Sequence, residues 1–464
     1  MATAPWFVIG PSTLVAFIGL LRGPDKTPPE SAEDWHEATV DVIIPALNEE
    51  QNILLALNSI ARQSLKPRKV ILVDDGSTDR TAEVARAFGE DLGLNLEVIR
   101  REQSIGKTPT LKRGARELDA DVEVVLDGDT FLESENYIER LVQELYKAPG
   151  VASACGVVQP MREKDRQEVT KEAPLKGFLE KHTNYVTPRP SAWHRFNRAI
   201  TNFYRGILYT FLQRFVYRGQ MVVFGSIINP VGCAVAYRRE YLRKLFDYYE
   251  PILGDDLTNS EDIFIGFALL NEGYRNVQLQ DVTVRSLEPE FPRLAHQLYF
   301  WSSSFLQSCY YFDGLLRSPF KGFRRYRQKH EAKHYEQEHP ETRDHIHRRG
   351  EPYRQPWGQG YTKQFGRPMG WAVFMAALEK IAFPTALLIM LILQLWGPLL
   401  ITFLAEMTLV ILILMFNAPG HRFRAFWEAI AVTPLRYGSL LFDAANIGRF
   451  ATDLWITRNR RWRK

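Results

Sequence analysis

Two short apolar runs in this chain each end on carboxylates. Val70-Ile-Leu-Val73 runs into Asp74-Asp75-Gly-Ser-Thr-Asp79, and Val122-Glu-Val-Val-Leu126 runs into Asp127-Gly-Asp129. A run of this length, bounded by a turn, reads as a buried strand. Strands are expected over residues 40–46, 69–73, 94–100 and 122–126. Helices over 48–63, 78–88 and 108–118 alternate with them, the first capped by Asn48 with Gln51 three residues later. Alternation with short loops predicts an α/β fold with a mostly parallel sheet and right-handed crossovers. In such an open sheet the carboxyl ends of the strands form the crevice where nucleotides bind. An Asp-x-Asp turn at that edge offers hard oxygen ligands suited to magnesium or manganese.

The 464 residues suffice for one large catalytic domain plus membrane segments. Apolar residues make up 45% of the chain but concentrate at its two ends. A net charge of only +4 gives no reason to expect a nucleic-acid partner. Cys155, Cys233 and Cys309 form no C-x-x-C pair and are expected as reduced thiols facing the cytosol.

Residues 5–21 form an uncharged run of 17, at the short end of what spans a bilayer. No basic residue precedes the run, so an uncleaved helix with its N-terminus outside is expected rather than a signal peptide. Residues 372–396 and 398–416 are the other expected spans, joined at Gly397-Pro398. Glu379, Lys380 and Glu406 lie within them, and ionisable groups there turn towards the protein interior or a channel. The segment 427–455 carries Glu428, Arg436, Asp443, Arg449 and Asp453, too many charges for an easy span. It is expected at the cytoplasmic interface or packed inside the bundle. Basic residues in 317–367, 421–424 and 458–464 mark the inner side. The layout is therefore an N-terminal transmembrane helix (1–24), a cytoplasmic catalytic domain (38–305), a basic cytoplasmic loop (306–367), and a C-terminal hairpin with an interfacial helix (368–464). A multi-pass protein of the plasma (inner) membrane is expected. In 203–217, Phe203, Tyr204, Ile207, Leu208, Phe211, Leu212 and Phe215 recur at helical spacing, with Arg205, Arg214 and Arg218 beside the stripe. That pattern fits either a buried core helix or a helix on the membrane surface.

The ordered series Pro45-Ala-Leu-Asn-Glu49, Asp74 to Asp79, Asp127-Gly-Asp129, Ser260-Glu261-Asp262 and Gln297-Leu-Tyr-Phe-Trp301 resembles the family 2 glycosyltransferases. Within them it resembles the membrane-embedded synthases of hyaluronan, chitin, cellulose and poly-N-acetylglucosamine. The resemblance covers about residues 38–305. It implies a GT-A-type domain that transfers a sugar from a nucleotide-sugar donor, UDP-linked, with inversion and with Mg2+ or Mn2+ as cofactor. By the same resemblance Asp75 and Lys107 bind the nucleotide, Asp127 faces its ribose and phosphates, and Asp129 holds the metal. Glu261, Gln297 and Trp301 bind the substrate, and Gly232-Cys233 lines the acceptor pocket. For the base itself, Gly254-Asp255-Asp256 and Ser260-Glu261-Asp262 both look like the family's acidic motif. Asp262 precedes Gln297 by 35 residues and Asp256 by 41, and the family's spacing favours Asp262. Phe300 stands where the motif has arginine, so another cation, from 317–367, would have to replace it.

Ser104-Ile-Gly106-Lys107-Thr108 is not a Walker loop, because Arg101 occupies the position of its first glycine. His330 and His334 have the spacing of helical metal ligands, but the surrounding Lys, Arg and Glu read as a solvated loop. The chain is thus expected to extend a β-linked glycan and to be able to export it, with the membrane lipid as its surroundings and a partner subunit possible. Rival readings are a non-processive transferase acting on a lipid-linked sugar or lipid phosphate, and an inactive membrane partner subunit.

Overall fold

The computed structural model describes residues 10–22, 34–147, 150–185, 191–253, 260–321, 369–418 and 421–457. After helix α1 (Pro11–Arg22), the chain alternates β1 (Val40–Ala46), α2 (Ile53–Ala61), β2 (Lys69–Asp74), α3 (Thr81–Asp91), β3 (Leu96–Arg100), α4 (Lys107–Glu117) and β4 (Val122–Leu126). Then come β5 (Thr130–Leu132), α5 (Tyr137–Tyr146), β6 (Val151–Pro160), α6 (Glu163–Thr170), α7 (Ala173–Lys181), α8 (Ala192–Phe211) and α9 (Arg218–Phe224). The catalytic body closes with β7 (Ala234–Arg238), α10 (Arg239–Leu253), α11 (Glu261–Glu272), β8 (Arg275–Ser286), α12 (Phe291–Tyr311) and α13 (Asp313–Leu316). Three long helices follow: α14 (Gly370–Ile392), α15 (Trp396–Phe416) and α16 (Arg422–Trp455).

The eight strands form one sheet in the order β3-β2-β1-β4-β7-β6-β8-β5. The first four are parallel, as their apolar runs predict, with Val42 level with Val70 and Val124. β4 is buried along its whole length, as expected of a parallel strand covered on both faces. The other half corrects the expectation of a mostly parallel sheet. β7 runs antiparallel to both β4 and β6, and β5 antiparallel to β8, so the sheet is mixed. The reason is the excursion through α6 to α9, which returns the chain at the carboxyl end of β4, so β7 must start there and run back. A second correction concerns Asn48, which does not cap a helix. It adopts φ 57°, its side chain accepts from the Thr78 N–H at 2.9 Å, and α2 begins only at Ile53.

The stretch 203–217 resolves as core. Tyr204, Ile207, Leu208, Phe211, Leu212 and Phe215 are buried, and a π-helical turn over Leu212–Tyr217 carries the helix into α9. α1 lies across this segment, with Phe17 edge-on to Phe215 at 5.2 Å. Its backbone touches α9 directly, since a Cβ on Gly19 would stand 2.5 Å from the Gly219 Cα. The 12 residues of α1 rise about 18 Å, short of the roughly 30 Å of a bilayer core. Among the described residues, two helices are long and apolar enough to cross a membrane, α14 and α15, with mean hydropathies of 1.8 and 2.6.

α16 explains how the hairpin carries its charges. Glu406 of α15 pairs with Arg436 of α16, both buried, and also accepts from the Tyr437 hydroxyl at 2.9 Å. Lys380 of α14 donates to Asp443 at 2.7 Å, and Ser302 of α12 bonds the same carboxylate. Glu379 accepts the Ser12 N–H at 2.6 Å, at the positive end of α1. Arg436→Leu should therefore leave Glu406 buried and uncompensated, a loss of about 3–5 kcal/mol. Melting in detergent checks this: the single variant should unfold early, and adding Glu406→Leu should restore much of the loss.

Candidate active site

The crevice opens at the carboxyl ends of β1, β2 and β4. Asp75 follows β2 and is gripped by the loop before α4. It accepts from Arg101 Nη1 at 2.7 Å, Ser104 Oγ at 2.6 Å, and the N–H groups of Ile105 and Gly106 at 3.1 and 2.8 Å. Burial pushes this carboxyl up, but the bonds from Ser104, Arg101, Ile105 and Gly106 outweigh it and hold Asp75 below the usual range. The same loop delivers Lys107, the first residue of α4, into the centre of the crevice.

Lys107 is the hub. Its Nζ lies 2.6 Å from Asp127, 2.8 Å from Glu261 and 3.1 Å from the Gly232 carbonyl. Burial disfavours its charge, yet Asp127 and Glu261 more than offset this and keep the ammonium well above its ordinary value. Asp127 is held in turn by its backbone N–H, which donates to the Cys233 carbonyl at 2.9 Å. Gly232 donates its N–H to Asp262 at 3.1 Å. Asp262 also accepts from Ser260 Oγ at 2.5 Å and the Ile263 N–H at 2.8 Å. The second and third acidic clusters thus meet around one cation, although well over a hundred residues separate them. Glycine at 232 is a steric requirement, because a Cβ there would stand 2.6 Å from the Asp262 Cβ. Gly232→Ala should displace Asp262 and lower kcat on the order of 100-fold, since errors near 1 Å have that effect. Steady-state rates checked against an unchanged melting temperature measure it.

Asp129 sits on the far side of Asp127. Among the described residues it pairs with no cationic side chain and takes a long bond, 3.2 Å, from the Thr130 hydroxyl. Burial, then Glu49 and Asp127, raise its carboxyl well above the ordinary value. Asp127 is also raised, by burial against the pull of Lys107. Glu49 leans over Gly128 between the two aspartates and is pushed up to about 7, chiefly by burial and then by Asp127 and Asp79, against the Asn52 hydrogen bond. Among the described residues no three His, Cys, Asp or Glu side chains make a metal cage by themselves. A magnesium-type ion does not need one, because it takes one or two carboxylates and completes its shell with phosphate oxygens and water. Under-compensated carboxylates on Asp127 and Asp129 fit that requirement, and Asp129 is the better ligand because Lys107 already holds Asp127.

Gln297 and Trp301 lie on α12, which is tied to the Asp262 turn by a long bond from Ser304 Oγ to the Ser260 carbonyl, 3.4 Å. Their partner is Arg205 of α8. Its Nη2 donates to Gln297 at 2.6 Å, and its guanidinium stacks over the Trp301 indole at 4.1 Å. Arg205 is fully buried and pairs with Glu288 at 3.5 Å, which also accepts from Tyr209 at 2.6 Å. Among the described residues, the cation beside Trp301 comes from α8. Of the stretch 317–367, Arg317 pairs with Asp313 and residues 322–367 lie outside the described residues. Asp255, Asp256, His330 and His334 also lie outside the described residues. Sequence reading missed Glu49, Arg101, Arg205 and Glu288. The available signal for Arg205 was a cation between Tyr204 and Ile207, inside an apolar stripe.

Residues 41–246 match the family described as Glycosyl transferase family 2. An N-acetylglucosaminyltransferase of Azorhizobium caulinodans is 24% identical over 313 residues, 66% of this chain and 69% of that protein. An undecaprenyl-phosphate 4-deoxy-4-formamido-L-arabinose transferase of Pectobacterium carotovorum is 32% identical over 127 residues, 27% of this chain and 38% of that protein. The chain spans between 28% and 69% of the length of the first curated relatives it matches. Among solved structures, a mannosyltransferase of Pyrobaculum calidifontis in complex with GDP-Man and Mn2+ superposes with a TM-score of 0.50 at 16% identity, covering 96% of this chain and 94% of that one. Residues 41–246 therefore form a domain similar to the family 2 glycosyltransferases, and the chain has a GT-A-like fold.

Proposed function

We propose that this protein is a membrane-associated, inverting glycosyltransferase that moves a sugar from a nucleoside-diphosphate donor, UDP-linked, to an acceptor hydroxyl. The observation that carries the proposal is Lys107, which draws Asp127 and Glu261 together and leaves Asp262 one residue layer away across Gly232. Asp75 and its loop bound the nucleotide end of the same crevice. Asp127 and Asp129 would hold Mg2+ or Mn2+, which offsets the charge of the departing diphosphate. Lys107 adds a fixed positive charge on the same side.

In this reading Asp262 takes the proton of the acceptor hydroxyl. The oxygen then bonds to the anomeric carbon as the carbon–phosphate oxygen bond breaks, and the diphosphate leaves on the opposite face. Three hydrogen bonds to Asp262 fix the direction of its lone pairs for that step. A domain that only binds sugar, as an inactive partner subunit would, has no use for an oriented carboxylate beside Lys107.

Two acceptors remain in play, a growing β-linked glycan and a lipid-linked sugar or lipid phosphate. The second is favoured by Arg205, whose guanidinium covers one face of Trp301 that would otherwise lie under a sugar. α14 and α15 support an anchored enzyme, and the basic segments 421–424 and 458–464 favour the cytoplasmic side of the plasma (inner) membrane for its crevice. NMR of the product tests the proposal: an α-linked donor should give a β-linked product, and retention of the α configuration overturns the single-displacement step. Sizing the same product separates single transfer from polymer.

A further inference from the structure

A second cavity, of about 870 Å³, lies between the catalytic body and the end of the apolar hairpin. Seven arginines and lysines line it against two glutamates. Arg195, Arg198 and Arg214 come from α8 and its continuation, Arg162 from the turn after β6, Lys164 from the start of α6, Arg285 from β8 and Arg424 from the start of α16. The opposite wall is Leu414, Asn417 and Ala418, where α15 ends. One side of the cavity is therefore cationic, and the other is the terminus of a helix long and apolar enough to cross a membrane.

Arg162 and Arg285 pair with Asp165, and Arg424 with Glu428, but Lys164, Arg195, Arg198 and Arg214 pair with no carboxylate among the described residues. Arg198 keeps a buried Nε with no hydrogen-bond partner among the described residues. Arg166, which faces Glu49 from α6, is held below the ordinary arginine range by burial and then by the nearby Arg198. Guanidinium groups crowded out of water repel one another and carry a desolvation cost that an anion removes. Their planar forks match phosphate oxygens in pairs. The cavity is linked by contacts to Trp301, because its wall residue Tyr209 donates to Glu288, which pairs with the Arg205 that stacks on that indole.

We propose that this cavity seats the phosphate headgroup of a membrane lipid that carries the acceptor, with the lipid tail running alongside α15. The proposal rests on the transferase reading above and names the acceptor class for that crevice. A free phosphate has the same headgroup chemistry but no use for the apolar wall, so the two sources separate by experiment.

The test is binding, and it needs no turnover. Full-length protein in phosphatidylcholine nanodiscs is titrated with undecaprenyl phosphate, with phosphatidic acid, and separately with inorganic phosphate. Saturable binding of both lipid phosphates is expected, with at least tenfold weaker binding of inorganic phosphate. Arg198→Glu with Arg214→Glu should weaken lipid binding by tenfold or more, and Arg198→Lys with Arg214→Lys should retain it, at matched melting temperatures. Equal affinity for inorganic phosphate overturns the lipid assignment, and unchanged lipid binding in the charge-reversed variant overturns the site. If lipid binds as expected but no nucleotide sugar is ever turned over, the transferase reading fails and this site stands.

Discussion

Asp262→Asn is expected to lower turnover on the order of 100-fold or more, the usual effect of losing a general base, while donor binding stays near that of the parent. The carboxylate is oriented by Gly232, Ser260 and Ile263, whereas Asp75 at the nucleotide end is held separately by Arg101, Ser104, Ile105 and Gly106. An amide keeps the shape and one acceptor oxygen but cannot take the acceptor's proton. The loss should therefore appear in kcat, with calorimetric binding of the nucleoside diphosphate unchanged. An active Asp262→Asn paired with an inactive Asp256→Asn would move the base to the neighbouring acidic pair.

Asp129→Ala is expected to abolish the response to divalent metal and lower kcat on the order of 100- to 1,000-fold, as removal of one group that stabilises developing charge does. Chelator should silence the parent to the same level. Stability should move the other way. Burial, Glu49 and Asp127 all disfavour the ionised Asp129, so deleting it relieves repulsion and should not lower the melting temperature. The sign with pH follows from the same raised carboxyls. Metal-free protein should be more stable in the acid range and lose that margin as pH rises through about 7, where Glu49 ionises. Added Mg2+ or Mn2+ should restore it. Full activity in excess chelator contradicts the metal-assisted reading.

The parallel half of the fold was legible because burial on both faces writes itself as unbroken apolar runs, and β1, β2 and β4 follow those runs closely. The other half was not. Which way β7 enters the sheet depends on where a long excursion returns the chain, and no local periodicity encodes that. Asn48 was misread because its capping chemistry is real but directed at Thr78, 30 residues on, instead of its own helix. The acidic clusters marked the crevice from sequence alone. Their closure around Lys107 and Gly232 needed the structure, as did Arg205, whose partners Gln297 and Glu288 lie on another part of the chain. The charges of α16 looked like an obstacle to burial until Arg436 met Glu406 and Asp443 met Lys380. A pairing across helices leaves no trace in either helix's own pattern.

The central claim is that Lys107, Asp127, Asp129 and Asp262 form one crevice that cleaves a nucleotide sugar. Release of nucleoside diphosphate from a panel of UDP- and GDP-sugars, by the full-length protein in native membranes with Mn2+ or Mg2+, tests it most directly. The account predicts release from at least one donor of the panel, abolished by chelator and by Asp129→Ala, and reduced on the order of 100-fold by Asp262→Asn. Release that persists unchanged in both variants, or no release from any donor of the panel, would contradict it.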